Sequence, residues 1–262
     1  MKYLFNDWTK IRKLIGKSPY VLLLADYDGT LTPIVSRPQD AAFKREMKGL
    51  LKRLSKKKGF RVGVISGRML SDVKRLVGLR GIYYSGDHGF EIRGPGISYL
   101  HASGKRYASC LAGIRKKLLS KTKGIKGVII EKKVASLSLH YRMVRRGYVP
   151  HLRRIFETIL NPYLNKRMVN LTSGKMVWEV RLPGRWNKGQ AALKILKVIR
   201  RRKKTLPIYL GDDKTDEDAF SSLRQRKSIT VFVGKRYKKS RAKYYLRSPY
   251  DVEKFLVRLC RI

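Results

Sequence analysis

Short apolar segments alternate with amphipathic helical stretches in the first third of this chain, and this alternation restricts the fold more than any other feature. Strand-like segments lie at 21–25, 61–65 and 82–84, and apolar residues with helical spacing fill the intervals at 43–54 and 71–77. Strands that alternate with helices are typical of β–α–β units. The pattern therefore predicts an α/β fold in which helices flank a parallel, Rossmann-like sheet.

The same alternation returns in the last third of the chain. The predicted elements follow one another as helix, strand, helix, strand and helix, at 189–199, 207–210, 216–223, 229–233 and 250–259. Because these segments continue the pattern of the first third, we assign both parts to one domain.

The middle of the chain follows another pattern. Two β-rich pieces lie at 127–144 and 168–182, and each is preceded by a helical stretch. In the segment SLSLHYR, polar and apolar residues alternate, as in a strand with one buried and one solvated face. We therefore predict a small α+β cap domain at 104–183, inserted into a discontinuous core domain made of residues 1–103 and 184–262.

The charge of the chain is strongly positive, with 62 Lys and Arg residues against 18 Asp and Glu residues and a net charge of +44. A concentrated basic face would indicate a nucleic-acid-binding protein, whereas a diffuse positive field attracts anionic substrates. The basic runs at 56–58, 200–204 and 235–243 are scattered over predicted helix ends and loops. We interpret the charge as spread over solvated surfaces, and we expect nonspecific polyanion binding at low salt.

Three further features indicate where the protein works. The longest apolar run, at 21–25, is far shorter than the ~20 residues that span a bilayer. The N-terminal segment lacks the apolar core and cleavage site of a signal peptide. The two cysteines, Cys110 and Cys260, show neither metal-binding spacing nor a disulfide framework. We expect a soluble, cytoplasmic protein without a membrane partner.

The segment DYDGT places two carboxylates directly after the first predicted strand, as Asp26 and Asp28. Ligands of open α/β sheets bind at the carboxyl ends of the strands, and side chains two residues apart face similar directions. Asp26 can therefore attack a phosphoryl group as a nucleophile. Asp28 can protonate the leaving alcohol and then activate water. The alternative interpretation is a turn with solvated acids, or a helix cap.

The segment GDDKTDEDAF follows a later predicted strand in the same manner. It contains Asp212, Asp213 and Asp216, and together with DYDGT it holds seven of the 18 acidic residues. Mg²⁺ prefers hard oxygen ligands, usually one or two carboxylates with water and substrate phosphate. We predict that Asp212 binds Mg²⁺, whereas Glu217 and Asp218 suit an acidic helix start.

Two smaller motifs complete the set of candidate site residues. In VISGR, Ser66 and the amide of Gly67 follow a predicted strand and could hold phosphate oxygens at a helix start. In NKG, Lys188 opens a predicted helix and could neutralise charge that develops during transfer. Alone, Ser-Gly is a common turn, and a solvated surface lysine is the better interpretation of Lys188.

Taken in order, DYDGT, SGR, NKG and GDDKTDED resemble the motifs of the haloacid dehalogenase superfamily of aspartate-nucleophile phosphotransferases. The resemblance implies that Asp26 is the nucleophile and Asp28 the general acid and base. It implies that Ser66 and Lys188 bind phosphate. It also implies that Mg²⁺ is held by Asp26, Asp212 and the backbone carbonyl of Asp28.

A narrower resemblance rests on DYDGTLTPI, GDHGFEI, IEKKVASLSLHYR and WEVRLPGRWNKGQAALKIL, which are similar to segments of trehalose-6-phosphate phosphatases. That family has a cap inserted between the second and third motifs. The match implies that the disaccharide is contacted by Arg68, Glu131, Lys133 and Glu179. It also marks His88, His140 and Arg142, without assigning them roles. From the residues alone, Glu131 and Lys133 could equally form a cross-strand ion pair or a solvated edge.

These resemblances imply a Mg²⁺-dependent phosphoric monoester hydrolase that converts trehalose 6-phosphate to trehalose and phosphate through an aspartyl-phosphate, as a step of trehalose biosynthesis. Functional pairing with a trehalose-phosphate synthase is a further expectation. One alternative is another capped sugar-phosphate phosphatase or phosphomutase of the superfamily. The alternative from another class is a basic nucleic-acid-binding protein on a vestigial phosphatase fold.

Overall fold

A computed structural model describes residues 1–34, 43–102, 108–174, 176–183, 186–200, 204–224, 226–234 and 239–262. The helices within these ranges are α1 (Trp8–Gly16), α2 (Arg45–Lys56), α3 (Leu70–Val77), α4 (Ala108–Thr122), α5 (Val149–Asn165), α6 (Lys188–Arg200), α7 (Glu217–Arg224) and α8 (Pro249–Cys260). No helix in the described part of the chain has the length and apolar character needed to cross a membrane.

The strands within the same ranges are β1 (Lys2–Tyr3), β2 (Tyr20–Ala25), β3 (Phe60–Ile65), β4 (Tyr83–Gly86), β5 (Glu91–Gly94), β6 (Ile97–Leu100), β7 (Ile129–Lys132), β8 (Ser136–His140), β9 (Asn170–Gly174), β10 (Val177–Arg181), β11 (Thr205–Gly211), β12 (Ile229–Val233) and β13 (Tyr244–Leu246). The chain divides into one compact unit of Met1–Tyr99 with Trp186–Ile262, and a second unit of Leu100–Arg185. The assignment of these units to a catalytic core and a cap stays a prediction.

The first unit is built on a sheet with the order β1-β13-β12-β11-β2-β3-β4-β5-β6. Its central strands are parallel, and β11 and β3 pair with β2 on either side. Side chains of β2 alternate between the two faces, so Leu23 packs into one hydrophobic cluster and Leu22 and Leu24 into the other. Helices cover both faces of the sheet, which explains why β2 and β11 are almost entirely apolar.

The predicted alternation of strands and helices is confirmed in this unit, and most boundaries shift by one or two residues. Sequence inspection missed α1, β1, β5, β6 and β13. Helix α1 buries Ile11 and Ile15 and exposes its basic residues, so its apolar stripe is narrow. Strand β13 has only three residues and lies in a strongly basic stretch. It is stabilised by pairing with β1 and β12, which the local sequence does not indicate.

The second unit contains an antiparallel sheet with the order β7-β8-β10-β9. Helices α4 and α5 cover one face of it, where Trp178 stacks on Phe156 with ring centroids 5.1 Å apart. Leu137, Leu139 and Val180 are buried on that same face. The opposite face carries polar and charged side chains instead.

Two aromatic residues of the first unit flank the second unit in the chain. The rings of Tyr99 and Trp186 lie 5.2 Å apart, and the indole N–H of Trp186 donates a hydrogen bond to the carbonyl of Gly89 at 2.7 Å. Tyr99 and Trp186, which precede and follow the second unit in the chain, therefore lie side by side in the first unit.

Candidate active site

Asp26 and Asp212 are brought together because the strands before them are parallel neighbours. Strand β2 ends at Ala25 and β11 ends at Gly211, and the two strands pair in register. The backbone N–H of Asp26 extends this ladder with a 2.9 Å hydrogen bond to the carbonyl of Leu210. Asp26 is 4% exposed, so its carboxylate is almost fully withdrawn from water.

Lys188 lies among the carboxylates. Its Nζ donates hydrogen bonds to Oδ1 of Asp26 and Oδ1 of Asp216, both at 2.9 Å, and it lies 3.9 Å from Oδ1 of Asp213. Burial alone lowers the pKa of this lysine, but Asp216 and Asp26 raise its pKa well above the ordinary value. Lys188 is therefore a permanently charged ion-pair partner rather than a surface lysine.

Asp216 was not among the site residues that the sequence predicted, yet it lies at the centre of the site. Its Oδ1 accepts a hydrogen bond from the hydroxyl of Tyr209, and its Oδ2 accepts from the amides of Asp212 and Asp213. A Cβ at Gly211 would lie 2.3 Å from its Cγ, so a side chain there would displace this carboxylate. The clustering of acids in GDDKTDED was the signal that could have identified it.

Three carboxylates form a cluster that fits a divalent cation. One oxygen each from Asp26, Asp212 and Asp216 lies within 4.8 Å of the other two. Burial raises the pKa of Asp26 and of Asp216 well above the ordinary value, and burial with repulsion from Asp216 raises that of Asp212 to about 7. One lysine does not neutralise three carboxylates, and hard oxygen ligands in this arrangement suit Mg²⁺.

The loop after Asp26 depends on a glycine. Gly29 has a φ of +87°, and a Cβ there would lie 2.1 Å from Oδ2 of Asp212. The next residue, Thr30, donates its hydroxyl to Oδ1 of Asp212 at 3.1 Å. Gly29 and Thr30 together fix the position of the Asp212 carboxylate.

Asp28 and Arg68 form a bidentate ion pair. Nε and Nη2 of Arg68 lie 2.7 and 2.5 Å from the two carboxylate oxygens of Asp28. The side chain of Asp28 is 40% exposed and that of Arg68 is 15% exposed. The residue predicted to act as acid and base is thus paired with a residue predicted to bind substrate. The predicted metal contact of the Asp28 carbonyl stays a prediction.

Ser66 and Gly67 lie beyond the end of β3, beside β2. Ser66 is buried, and its hydroxyl oxygen accepts a hydrogen bond from the amide of Arg68 at 3.1 Å. A Cβ at Gly67 would lie 2.6 Å from the ring of His88, so this glycine allows the imidazole to pack against the loop. His88 itself has a left-handed backbone, with φ of 54°.

The second unit brings Glu131, Lys133 and Glu179 to the face of its sheet that carries no helix. Nζ of Lys133 lies 3.3 Å from Oε1 of Glu179, while Nε2 of His140 lies 3.3 Å from Oε2 of Glu131. The hydrogen bond from His140 lowers the pKa of Glu131. Lys133 therefore forms its ion pair with Glu179, and Glu131 is bound by His140.

Glu179 is 7% exposed, and both of its oxygens are bound. Ser138 donates its hydroxyl to Oε1 at 3.3 Å, and Arg181 donates through Nε to Oε2 at 2.6 Å. Arg181 was not predicted from sequence, although it stands two residues after Glu179 on the same strand face. Arg142 is exposed.

Comparison with known proteins agrees with this geometry. The family model of trehalose-phosphatase matches residues 24–250. Trehalose-phosphate phosphatase B of Arabidopsis thaliana is 34% identical over 256 residues, which cover 93% of this chain and 67% of that protein.

Two solved structures are similar to this one along almost their whole length. The C-terminal domain of C. albicans trehalose-6-phosphate phosphatase is 26% identical, with a TM-score of 0.79 and coverage of 97% of this chain and 96% of that one. Trehalose-6-phosphate phosphatase of Aspergillus fumigatus is 29% identical, with a TM-score of 0.69 and coverage of 100% and 99%. The fold class expected from the sequence is thereby confirmed. The chain belongs to the trehalose-phosphatase family.

Proposed function

We propose that this protein is a Mg²⁺-dependent phosphatase that hydrolyses trehalose 6-phosphate to trehalose and phosphate in trehalose biosynthesis. The observation that carries this proposal is the cluster of Asp26, Asp212 and Asp216 near the buried Lys188, at the carboxyl ends of parallel strands. Membership of the trehalose-phosphatase family supports the choice of substrate.

In the first step, the carboxylate of Asp26 attacks phosphorus and forms an aspartyl-phosphate while the bond to the sugar oxygen breaks. Asp28, which takes up a proton when its ion pair with Arg68 opens, gives that proton to the sugar oxygen, so trehalose leaves as a neutral alcohol. In the second step, Asp28 takes a proton from water, and the resulting hydroxide attacks phosphorus to release phosphate and restore Asp26. Lys188 holds the attacking carboxylate in place by its 2.9 Å hydrogen bond.

Charge and orientation are controlled by the residues around Asp26. Ser66 and the amide of Gly67 are assigned to the phosphate oxygens. Asp26, Asp212 and Asp216 would hold Mg²⁺, and the bound ion would neutralise charge between the attacking carboxylate and the phosphate. Arg68 holds Asp28 in its ion pair until substrate competes for the guanidinium.

The polar sheet face of the second unit is assigned to recognition of the sugar. Glu131, Lys133 and Glu179 supply carboxylate acceptors and an ammonium donor, which suit sugar hydroxyls. The hydrogen bonds of Lys133 with Glu179 and of His140 with Glu131 hold these side chains in fixed positions, which lowers the entropy lost when a sugar binds.

The test of the proposed function is phosphate release from trehalose 6-phosphate, glucose 6-phosphate and sucrose 6-phosphate, with Mg²⁺ and with a chelator. We expect the highest kcat/KM for trehalose 6-phosphate, background rates with chelator, and recovery when Mg²⁺ is restored. Equal rates on the three substrates would favour a general sugar-phosphate phosphatase. Absence of turnover would favour a nucleic-acid-binding protein.

Alanine at Glu131 or Lys133 is expected to lower kcat/KM for trehalose 6-phosphate by about 10- to 100-fold, the range for a charged hydrogen bond. Activity on a small aryl phosphate should hardly change, because that substrate has no sugar to recognise. Lys132→Ala is the matched control, since Lys132 points to the other side of β7. Equal losses on both substrates would mean that Glu131 and Lys133 only maintain the fold.

Three expectations from the sequence stay predictions. They are the cytoplasmic location, functional pairing with a trehalose-phosphate synthase, and nonspecific polyanion binding at low salt. The net charge of +44 motivates the last of these, because neutralisation of several phosphates releases counterions. Each is compatible with a phosphatase and none is required by its chemistry.

A further inference from the structure

One row of polar side chains crosses the sheet of the second unit from edge to edge. Glu131 on β7 lies opposite Ser138 on β8, and Ser138 lies opposite Glu179 on β10. Glu179 in turn lies opposite Thr172 on β9. Residues directly opposite one another in antiparallel strands point to the same face of the sheet. Thr172 is therefore the fourth member of a row that contains two of the predicted sugar contacts.

Thr172 differs from the other three members in its exposure. All five residues of the edge strand β9 are exposed, whereas Ser138 and Glu179 are buried. The Thr172 hydroxyl donates a long hydrogen bond of 3.4 Å to the backbone carbonyl of Glu179, which leaves its oxygen able to accept another. Asn170, two residues earlier, shares this face and lies opposite Arg181.

The length of the row matches a disaccharide better than a single sugar. Neighbouring strands lie ~4.8 Å apart, so the three intervals from β7 to β9 span roughly 14 Å. One sugar ring against Glu131 or Glu179 leaves an end of this row without contact, whereas two joined rings can lie along all of it.

We propose that Thr172 is a specificity-determining residue whose hydroxyl binds a hydroxyl group of a disaccharide phosphate. This inference rests on the proposed function and names a further contact for the same substrate. A single sugar ring or an aryl group covers less of the row than a disaccharide does, so contact with Thr172 at the β9 end discriminates between substrates by length.

The test replaces Thr172 by valine, which keeps the branched shape and removes the hydroxyl. KM for trehalose 6-phosphate should rise about three- to ten-fold, the range that one neutral hydrogen bond supplies, with kcat within about two-fold of wild type. KM for glucose 6-phosphate and for an aryl phosphate should stay unchanged. Thr172→Ser should restore the wild-type KM. Ser173→Ala is the matched control, because Ser173 is exposed on the other face of β9.

An unchanged KM of Thr172→Val for trehalose 6-phosphate would overturn the inference while the proposed function stands. An equal rise for all three substrates would also overturn it, because it would assign Thr172 to the stability of the strand. Wild-type protein that does not turn over trehalose 6-phosphate would overturn the proposed function first, and this inference with it.

Discussion

Asp26→Asn is expected to lower phosphate release from trehalose 6-phosphate by roughly 10⁴-fold or more, because an amide cannot form the acyl phosphate. The change is nearly isosteric, and the amide oxygen can still accept the hydrogen bond that Lys188 donates at 2.9 Å. The loss should therefore come from the chemistry rather than from a displaced side chain.

The folded state should tolerate this substitution well. Asparagine removes one of three clustered carboxylates, two of which are buried, and so relieves repulsion with Asp212 and Asp216. We expect a melting temperature equal to or above that of wild type, measured with chelator present. Glu46→Gln, at an exposed position in the first turn of α2, is the control and should keep full activity. Substantial turnover by a pure Asp26→Asn preparation would exclude the covalent mechanism.

Lys188→Met is expected to lower kcat by roughly 10³-fold, because charge stabilisation by a preorganised group is lost in a site with little water. The same change should reduce the free energy of unfolding by about 3 kcal/mol, since it leaves Asp26 and Asp216 buried without their shared cation. The measurements are steady-state kinetics and denaturant unfolding.

Lys197→Met is the matched control for that experiment. It lies on the same helix α6 but is exposed, and it should affect neither activity nor unfolding by more than about 0.5 kcal/mol. Excess Mg²⁺ should not restore Lys188→Met, because a cation bound by the carboxylates does not replace the hydrogen bonds of Nζ. Activity within about ten-fold of wild type would place Lys188 outside the chemistry.

The positions of Asp26 and Asp212 could be predicted from sequence because each directly follows an apolar strand of a parallel sheet. Asp216 could not, since its role arises from a turn that folds its carboxylate back onto the amides of Asp212 and Asp213. The burial of Lys188 could not be predicted either, because a lysine at a helix start has the same local sequence pattern whether it is buried or exposed.

In the second unit, the family resemblance identified Glu131, Lys133 and Glu179 as candidate sugar contacts. It did not identify the partners of these residues. Register between β8, β10 and β9 places Ser138 and Thr172 on either side of Glu179, and register is a property of the paired strands. The sequence of one strand alone therefore does not identify its neighbours.

The pairing of β2 with β11 also has a consequence for biosynthesis of the chain. When the first third of the chain has been synthesised, β2, which precedes Asp26, is present. Its neighbour β11 has not yet been made. The stacked Tyr99 and Trp186 hold the two ends of the intervening unit together. Once the second unit has folded, the segment between Tyr99 and Trp186 behaves as a short loop. The entropic cost of bringing β11 next to β2 is then smaller. The carboxylate cluster therefore cannot assemble until residues 205–216 have been synthesised. A chain that terminates before these residues lacks the cluster.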